Sequence, residues 1–458
     1  MTYRCRSLSL LLAGMIAFAV AACASSPDVA PQAPRAKASA TAPAAKAPQA
    51  KTSQKTPLIG SAPSVPTPVG RQVRPRTDAS GMVRVGLLVP LTGTSAPTGQ
   101  GILNAAEMAL FEIGDENLVL QIYDTQGTPE GAVIAANKAL SEGAQLFLGP
   151  LFAGEVKAIT PQAQAAGVNI IGFTTDPAVQ ASNVFVLGFL VEAQVREVLT
   201  YARSQGRQHF AVLAPSNVYG QSVVDSINTL VPSMGGTVSK VAYFNPSGSD
   251  LEDVVRRFAD FDKRKAALQA ERNTLSASTD EVSQLALKRL EQQETLGDVD
   301  FDAVFIPESG GRLIQVANLL PFFDIDTTRV QLMGTMLWAT RGLGRESAMV
   351  GGIYPAPAQD ANRDFAQRYR QTFGGTPPAL ANHGYDAVAL AAVLVRSGSA
   401  DPFRHDAIAD PGGFAGVDGI FRFRSNGLSE RGFAIMQITR DGADVVRPAP
   451  KDFDDAQY

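Results

Sequence analysis

The chain has 458 residues, 45% hydrophobic and 18% charged, which is more than one ordinary domain and too apolar for a wholly disordered protein. Its formal net charge of −4 is uneven: residues 24–80 carry eight basic and two acidic side chains, and the chain from Gly81 onward carries 30 basic and 42 acidic. An acidic body without a basic face argues against nucleic acid as partner, and cysteines only at Cys5 and Cys23 leave the body no disulfide and no cysteine metal site.

Residues 1–22 read as a signal peptide. Arg4 and Arg6 precede the apolar stretch SLSLLLAGMIAFAVA, which is short for a membrane-spanning helix. It ends in Val20-Ala21-Ala22-Cys23, which resembles the lipobox of bacterial lipoproteins. That resemblance implies diacylglycerol on Cys23, a stable membrane anchor once two or three acyl chains are present. Ala24, where an aspartate would signal retention, then favours the outer membrane. The other reading is a plain secretory signal with Cys23 incidental.

Residues 23–80 form the expected tether. Ten prolines and thirteen alanines between 24 and 80, with almost no large apolar side chain, cannot offset the entropy of ordering. Fully extended, its 57 residues would reach at most roughly 190 Å. A spacer lifting the module toward a distant partner and a low-complexity linker of no selected length both fit.

From Met82 the pattern changes. Apolar, β-rich runs at 83–89, 118–123, 146–148 and 168–173 alternate with helical spacing at 102–113 and 130–141. A second series follows: helices at 191–205, 219–230, 250–260 and 311–320, and strands at 210–213, 238–244, 303–306 and 330–333. Strands alternating with amphipathic helices mean βαβ units and parallel sheets covered on both faces. The expected fold class is α/β, with two doubly wound parallel-sheet lobes and a hinge over 82–450. Lobe one takes about 82–188 and 356–402, and lobe two about 189–355 and 403–450. Helices at 361–372 and 383–396 return to the first lobe. Strands at 419–424 and 432–438 read as a hairpin through Asn426-Gly427. Residues 262–297 look inserted: six acidic against six basic residues, with leucines at 268, 275, 285 and 290. They read as a helical hairpin with a capping box of Ser278 and Glu281, either an ordinary solvated pair or a partner-docking arm.

The stretches VGLLVPLTGTSAPTGQGILNAAEMAL, YDTQGTPEGAVIAANKAL, LFLGPL, GVNIIGFTTDP and FAVLAPSNVYGQSVV resemble the type I periplasmic binding proteins for branched-chain amino acids. The stretch FDAVFIPESGGRLIQVANLLPFFDIDTTRVQLMGTMLW, with the preceding insertion and the lipobox, is similar to the lipoprotein activators of penicillin-binding proteins. The resemblance implies the type I periplasmic-binding-protein fold. It also implies a periplasmic lipoprotein that regulates peptidoglycan synthesis by binding a penicillin-binding protein. The rival reading is the substrate-binding lipoprotein of an ABC transporter for branched-chain or other amino acids.

In open α/β sheets ligands sit beyond the carboxyl ends of the strands. That criterion selects Thr92, Phe152, Ala153, Thr174, Thr175, Tyr219, Glu308 and Trp338 as cleft candidates. By family position Thr174 and Thr175 would hold a ligand carboxylate, Tyr219 would cover the ligand, and Glu308 would pair with its ammonium. The family's serine cluster after the third strand is here Phe152-Ala153-Gly154; losing such donors costs about 1.5–3 kcal/mol each. Helix capping for the threonines, a helix-start turn for Tyr219 and core packing for Trp338 stand beside these roles.

No enzyme is expected. The three histidines, His209, His383 and His405, lack metal-ligand spacing, and no HExxH, GxSxG or phosphate-loop motif occurs. Gly99-Gln100-Gly101 has Asn104 where a dinucleotide motif has its third glycine, and Asp324 with Asp326 reads as a polar turn. No cofactor, metal or catalytic residue is expected; the expected partners are the membrane through Cys23, a peptidoglycan synthase and a small amino-acid-like ligand.

Overall fold

The computed structural model describes residues 81–453. The expected signal peptide, Cys23 and the expected tether lie outside the described residues.

The first lobe opens with β1 (Val83–Val89), α1 (Ala96–Ile113), β2 (Leu118–Asp124), α2 (Pro129–Ser141), β3 (Leu146–Leu148), α3 (Ala153–Ala166), β4 (Asn169–Gly172) and β5 (Val184–Val186). Its strands are parallel, in the order β2-β1-β3-β4-β5. Every residue of β3 is buried, as expected of a sheet covered on both faces. Ala132, Ala136, Val156 and Ile159 of α2 and α3 pack on one face with Leu88, Phe147 and Ile170. Ile102 and Ala106 of α1 pack on the other with Leu87 and Leu148.

The second lobe contains α4 (Val191–Ser204), β6 (His209–Pro215), α5 (Val218–Ser233), β7 (Thr237–Phe244), α6 (Leu251–Phe258), the insertion α7 (Phe261–Ser276) and α8 (Glu281–Leu290), then β8 (Ala303–Phe305), α9 (Gly310–Phe322), β9 (Gln331–Met333) and β10 (Ile353–Ala356). Its parallel part runs β7-β6-β8-β9-β10, the same order as the first sheet. Both lobes therefore reverse strand order after their first strand, the topology that opens a crevice at the strands' carboxyl ends.

The chain then returns to the first lobe with α10 (Gln359–Phe373) and α11 (Ala381–Arg396). Val388 and Ala391 of α11 join the cluster of Ile102 and Leu87. A small antiparallel sheet of β11 (Phe414–Gly416), β12 (Gly419–Phe423) and β13 (Ser429–Arg431) follows. The chain last crosses to β14 (Ala434–Thr439) and β15 (Gly442–Arg447), antiparallel additions beside β10.

Three expectations are corrected. Residues 403–431 do not belong to the second lobe: Phe403, Ile408, Phe421 and Phe423 are buried with Leu87 and Leu148 of the first. The hairpin through Asn426-Gly427 pairs β12 with β13, while residues 434–439 leave for the other sheet. Gly427 has φ +80, and a Cβ there would stand 2.1 Å from the Val184 carbonyl oxygen, so the turn is pressed against β5. The helix start in the insertion is capped by Asp280, which accepts from the Ser283 N–H at 2.9 Å, and not by Ser278.

The insertion is a helical hairpin in which only Phe261 and Leu268 of α7, and nothing of α8, are buried. Arg264 pins its base, donating to the carbonyls of Gly297 (3.0 and 2.9 Å) and Asp324 (3.0 Å). Among the described residues no helix is long and apolar enough to cross a membrane.

Candidate functional site

The strand ends of the first lobe are built around two carboxylates. Asp124, ending β2, accepts from the Leu91 N–H (2.8 Å), the Thr92 hydroxyl (2.7 Å) and N–H (3.3 Å), and the Gln126 N–H (2.8 Å). Burial alone would raise its pKa, but the bonds from Thr92, Gln126 and Leu91 together lower it. Thr92, exposed, thus spends its hydroxyl on shaping the loop. Glu155 is 1% exposed and accepts from the Phe152 N–H at 2.9 Å. Burial raises its pKa against the hydrogen bonds from Thr125, Phe152 and Leu151. This bond fixes the start of α3, leaving the Phe152 ring 39% exposed and Ala153 half-buried.

Thr174 is buried, and its hydroxyl accepts from the Asp176 N–H at 3.1 Å. Asp176 in turn caps the single turn Pro177–Val179 through the Ala178 N–H (2.8 Å) and pairs with Lys157 at 3.4 Å. Thr174 is therefore occupied in turn-making, whereas Thr175 is exposed.

In the second lobe Asn217 caps α5 by accepting from the Gly220 N–H at 2.8 Å. A Cβ on Gly220 would sit 2.0 Å from the Pro215 carbonyl oxygen, so only glycine lets this helix start against the end of β6. The Tyr219 hydroxyl lies 2.7 Å from that of Thr335, which is fully buried after β9. Burial raises the Tyr219 pKa, the Thr335 bond opposes it, and the nearby Glu308 charge adds to it. Glu308 is half-buried and accepts from the Ser309 N–H at 2.9 Å. Trp338 is fully buried, and its Nε1–H donates to the Ile306 carbonyl at 3.1 Å. It is a core residue of the second lobe and no platform for a ligand.

A groove of about 1100 Å³ draws on both lobes, with Thr175 and Leu428 on one side and Ser216, Val218 and Tyr243 on the other. Thr175 alone of the eight cleft candidates lines it. No lysine or arginine is among its lining residues. Its carboxylates are engaged: Glu192 pairs with Arg196 (2.6 Å), and Asp225 accepts from Gln221 (2.8 Å). The wall can hydrogen-bond and cover apolar surface, and Arg424 also stands 3.6 Å from its Glu192. Val218, 89% exposed, stands at its edge. A second cavity of about 1210 Å³ lies at the opposite, amino ends of β6 and β8, between the insertion and the sheet, lined by His209, Asp302 and Arg264 among others. Among the described residues no group of three or more His, Cys, Asp or Glu is placed to hold a metal ion.

Sequence reasoning missed Asp124, Glu155 and Thr335, each of which spends its polar atoms on the strand-end loops. It also missed Gln194, which joins the lobes' connection to the second-lobe site by accepting from Met336 N–H (3.0 Å) and donating to the Phe189 carbonyl (3.2 Å). Asp124 was the legible one: an acid closing a strand beside a threonine-bearing loop.

Two lobes of matching strand order, joined by crossings and sharing a groove, define a bilobal α/β class of protein. A family model described as "Periplasmic binding protein" matches residues 82–443, and the chain belongs to that family. Among curated proteins it is similar to a penicillin-binding protein activator LpoA of Photobacterium profundum, 23% identical over 245 residues, covering 53% of this chain and 37% of that one. It is also similar to the Leu/Ile/Val-binding protein BraC3 of Rhizobium johnstonii, 25% identical over 194 residues, 38% of this chain and 51% of that one. The chain thus spans about half or less of the length of the curated relatives it matches. Among solved structures it resembles a branched-chain amino acid ABC transporter periplasmic ligand-binding protein of Burkholderia xenovorans. That match has TM-score 0.58 and 16% identity, covering 81% of this chain and 96% of that one. An ABC transporter substrate-binding protein from Sphaerobacter thermophilus gives TM-score 0.57 at 17% identity, covering 82% and 100%. These relatives are named as binding and activator proteins.

Proposed function

We propose that this chain is a lipid-anchored periplasmic regulator of peptidoglycan synthesis that binds a penicillin-binding protein. The observation that carries the reading is the similarity to penicillin-binding protein activators, which reaches 53% and 55% of this chain in two of them. Phe152-Ala153 at the end of β3 supports it, because the hydroxyl donors that an amino-acid binder places there are missing. On this reading Cys23 carries the acyl anchor in the outer membrane, residues 24–80 reach toward the partner, and Thr175 belongs to the groove that draws on both lobes. The test is glycan-chain synthesis by a purified bifunctional penicillin-binding protein with and without this protein. Saturable binding with an increased rate is expected; no binding and no rate change overturns the proposal.

The second reading, a substrate-binding protein of an amino-acid ABC importer, is favoured by the family and by the solved relatives. Calorimetry with the standard amino acids tests it: thermal stabilisation growing with free ligand would support it.

A further inference from the structure

The strands at the ends of a sheet present unpaired N–H and C=O groups that another strand can join, unless short length, charge, proline or a bulge blunts them. In the two large sheets, β5 is three residues long and is bridged by Leu428. β7 carries Lys240 and a register shift opposite Phe210 and Ala211. β15 carries Asp444 and Arg447 and a register shift opposite Ile435 and Met436. β2 has none of these devices. It pairs with β1 along all 7 of its residues without a shift, and Leu118 to Tyr123 include no charge and no proline.

The two ends of β2 fix which way its backbone points. The Asn117 carbonyl accepts from the Val83 N–H (2.8 Å), and the Thr125 N–H donates to the Val89 carbonyl (3.0 Å). Successive residues of a strand turn their backbone groups to opposite sides. Those of Val119, Gln121 and Tyr123 therefore face β1, and those of Leu118, Leu120, Ile122 and Asp124 face outward. Among the described residues no backbone bond from another segment reaches Leu120 or Ile122, and Ile122 is 42% exposed. Gln121 is also incomplete: its Oε1 is shielded from solvent, and no donor among the described residues reaches it.

We propose that β2 is a homodimer interface, where two copies of this chain pair their β2 strands antiparallel about a two-fold axis at Gln121 and join their first-lobe sheets into one. A second copy fits because the outward groups are self-complementary. A strand turned about Gln121 sets Leu120 opposite the second copy's Ile122, and Leu118 opposite its Asp124, for about six backbone hydrogen bonds. No like charges meet along the pair. The two Gln121 side chains meet at the axis, on the α2 side of the sheet, where each amide can donate to the other's Oε1. A strand of 7 residues at ~3.3 Å each, in a sheet about 10 Å deep, covers of the order of 500 Å² on the two copies together. A stable interface takes roughly 1,200 Å², so a helix flank has to join it, and α2 supplies one. Glu142 accepts from the Tyr123 hydroxyl (2.7 Å) and Lys138 lies 5.9 Å over that ring. These contacts turn the stripe of Ile134, Lys138 and Glu142 toward β2, and Ile134 is 68% exposed.

The test uses the full chain. Sedimentation from about 1 μM to about 0.1 mM is expected to show a monomer–dimer equilibrium. Gln121→Cys is expected to form a disulfide-linked dimer, because residues meeting at such an axis have Cα atoms about 4.5 Å apart. Val119→Cys lies about 13 Å from its own copy and should crosslink about tenfold less. The unmodified chain, with Cys5 and Cys23, gives the background. Ile122→Lys sets a charge on the edge and is expected to weaken the dimer by about tenfold or more, with the urea midpoint level. A chain that stays monomeric throughout overturns the proposal, even if β2 then pairs with a strand of a different protein. So does a dimer that Ile122→Lys leaves unchanged, and so does equal crosslinking through positions 119 and 121. If Gln121→Cys does not fold, the Ile122→Lys result decides alone.

Discussion

Trp338 is the chain's one tryptophan, so its fluorescence reports a single place. Its ring is fully buried among Ile306, Met349, Leu332 and Ile438, and Gly334 and Gly352 leave room for it. Trp338→Phe removes three ring atoms and the Nε1 donor. The Ile306 carbonyl still accepts from the Glu308 N–H at 2.9 Å, so no acceptor is orphaned. The lost bond is then worth about 0.5–1.5 kcal/mol, and the residual cavity about 1 kcal/mol. A net loss of about 1.5–2.5 kcal/mol should lower the Tm of a lobe of ordinary size by roughly 3–10 °C. The assay is emission of the native protein with acrylamide titration, followed by urea unfolding of the variant. Blue-shifted emission, weak quenching and no response to amino acids are expected. A solvent-like emission that ligand shifts, together with unchanged stability in the variant, would refute core packing and return Trp338 to the cleft.

Gly220→Ala should destabilise the second lobe by about 1–3 kcal/mol, because its Cβ meets the Pro215 carbonyl; urea midpoints measure it. Arg264→Ala should speed proteolytic cleavage within 277–298 without moving the main unfolding transition, since four hydrogen bonds at the base of the insertion are lost; equal cleavage rates would show that Arg264 does not pin the hairpin. Asp124 contributes stability above the ordinary carboxylate pKa that is lost as pH falls through its lowered value, so Asp124→Asn should flatten part of the acid limb of Tm against pH.

The alternation of β-rich runs and helical spacing was enough to place two βαβ lobes. The core of each strand and helix is a local periodic pattern that packing only has to agree with, as at 83–89 and 210–213. The same locality made the helix pair after α6 legible through its leucine spacing and charge balance. What sequence could not decide was which sheet a short segment joins. The Asn426-Gly427 turn was legible, yet both Ser429–Arg431 and residues 432–438 were candidates to pair across it, and only the buried contact of Phe421 and Phe423 with Leu87 chooses. Of the site, the strand ends were located by topology, but the roles of Thr92, Thr174 and Trp338 were not. A hydroxyl or an indole looks the same in sequence whether it meets a ligand, a neighbouring carboxylate or the core. The buried bond from the Val417 N–H to Asp386 joins residues 31 positions apart, and it exists only once α11 and the small antiparallel sheet have been brought together.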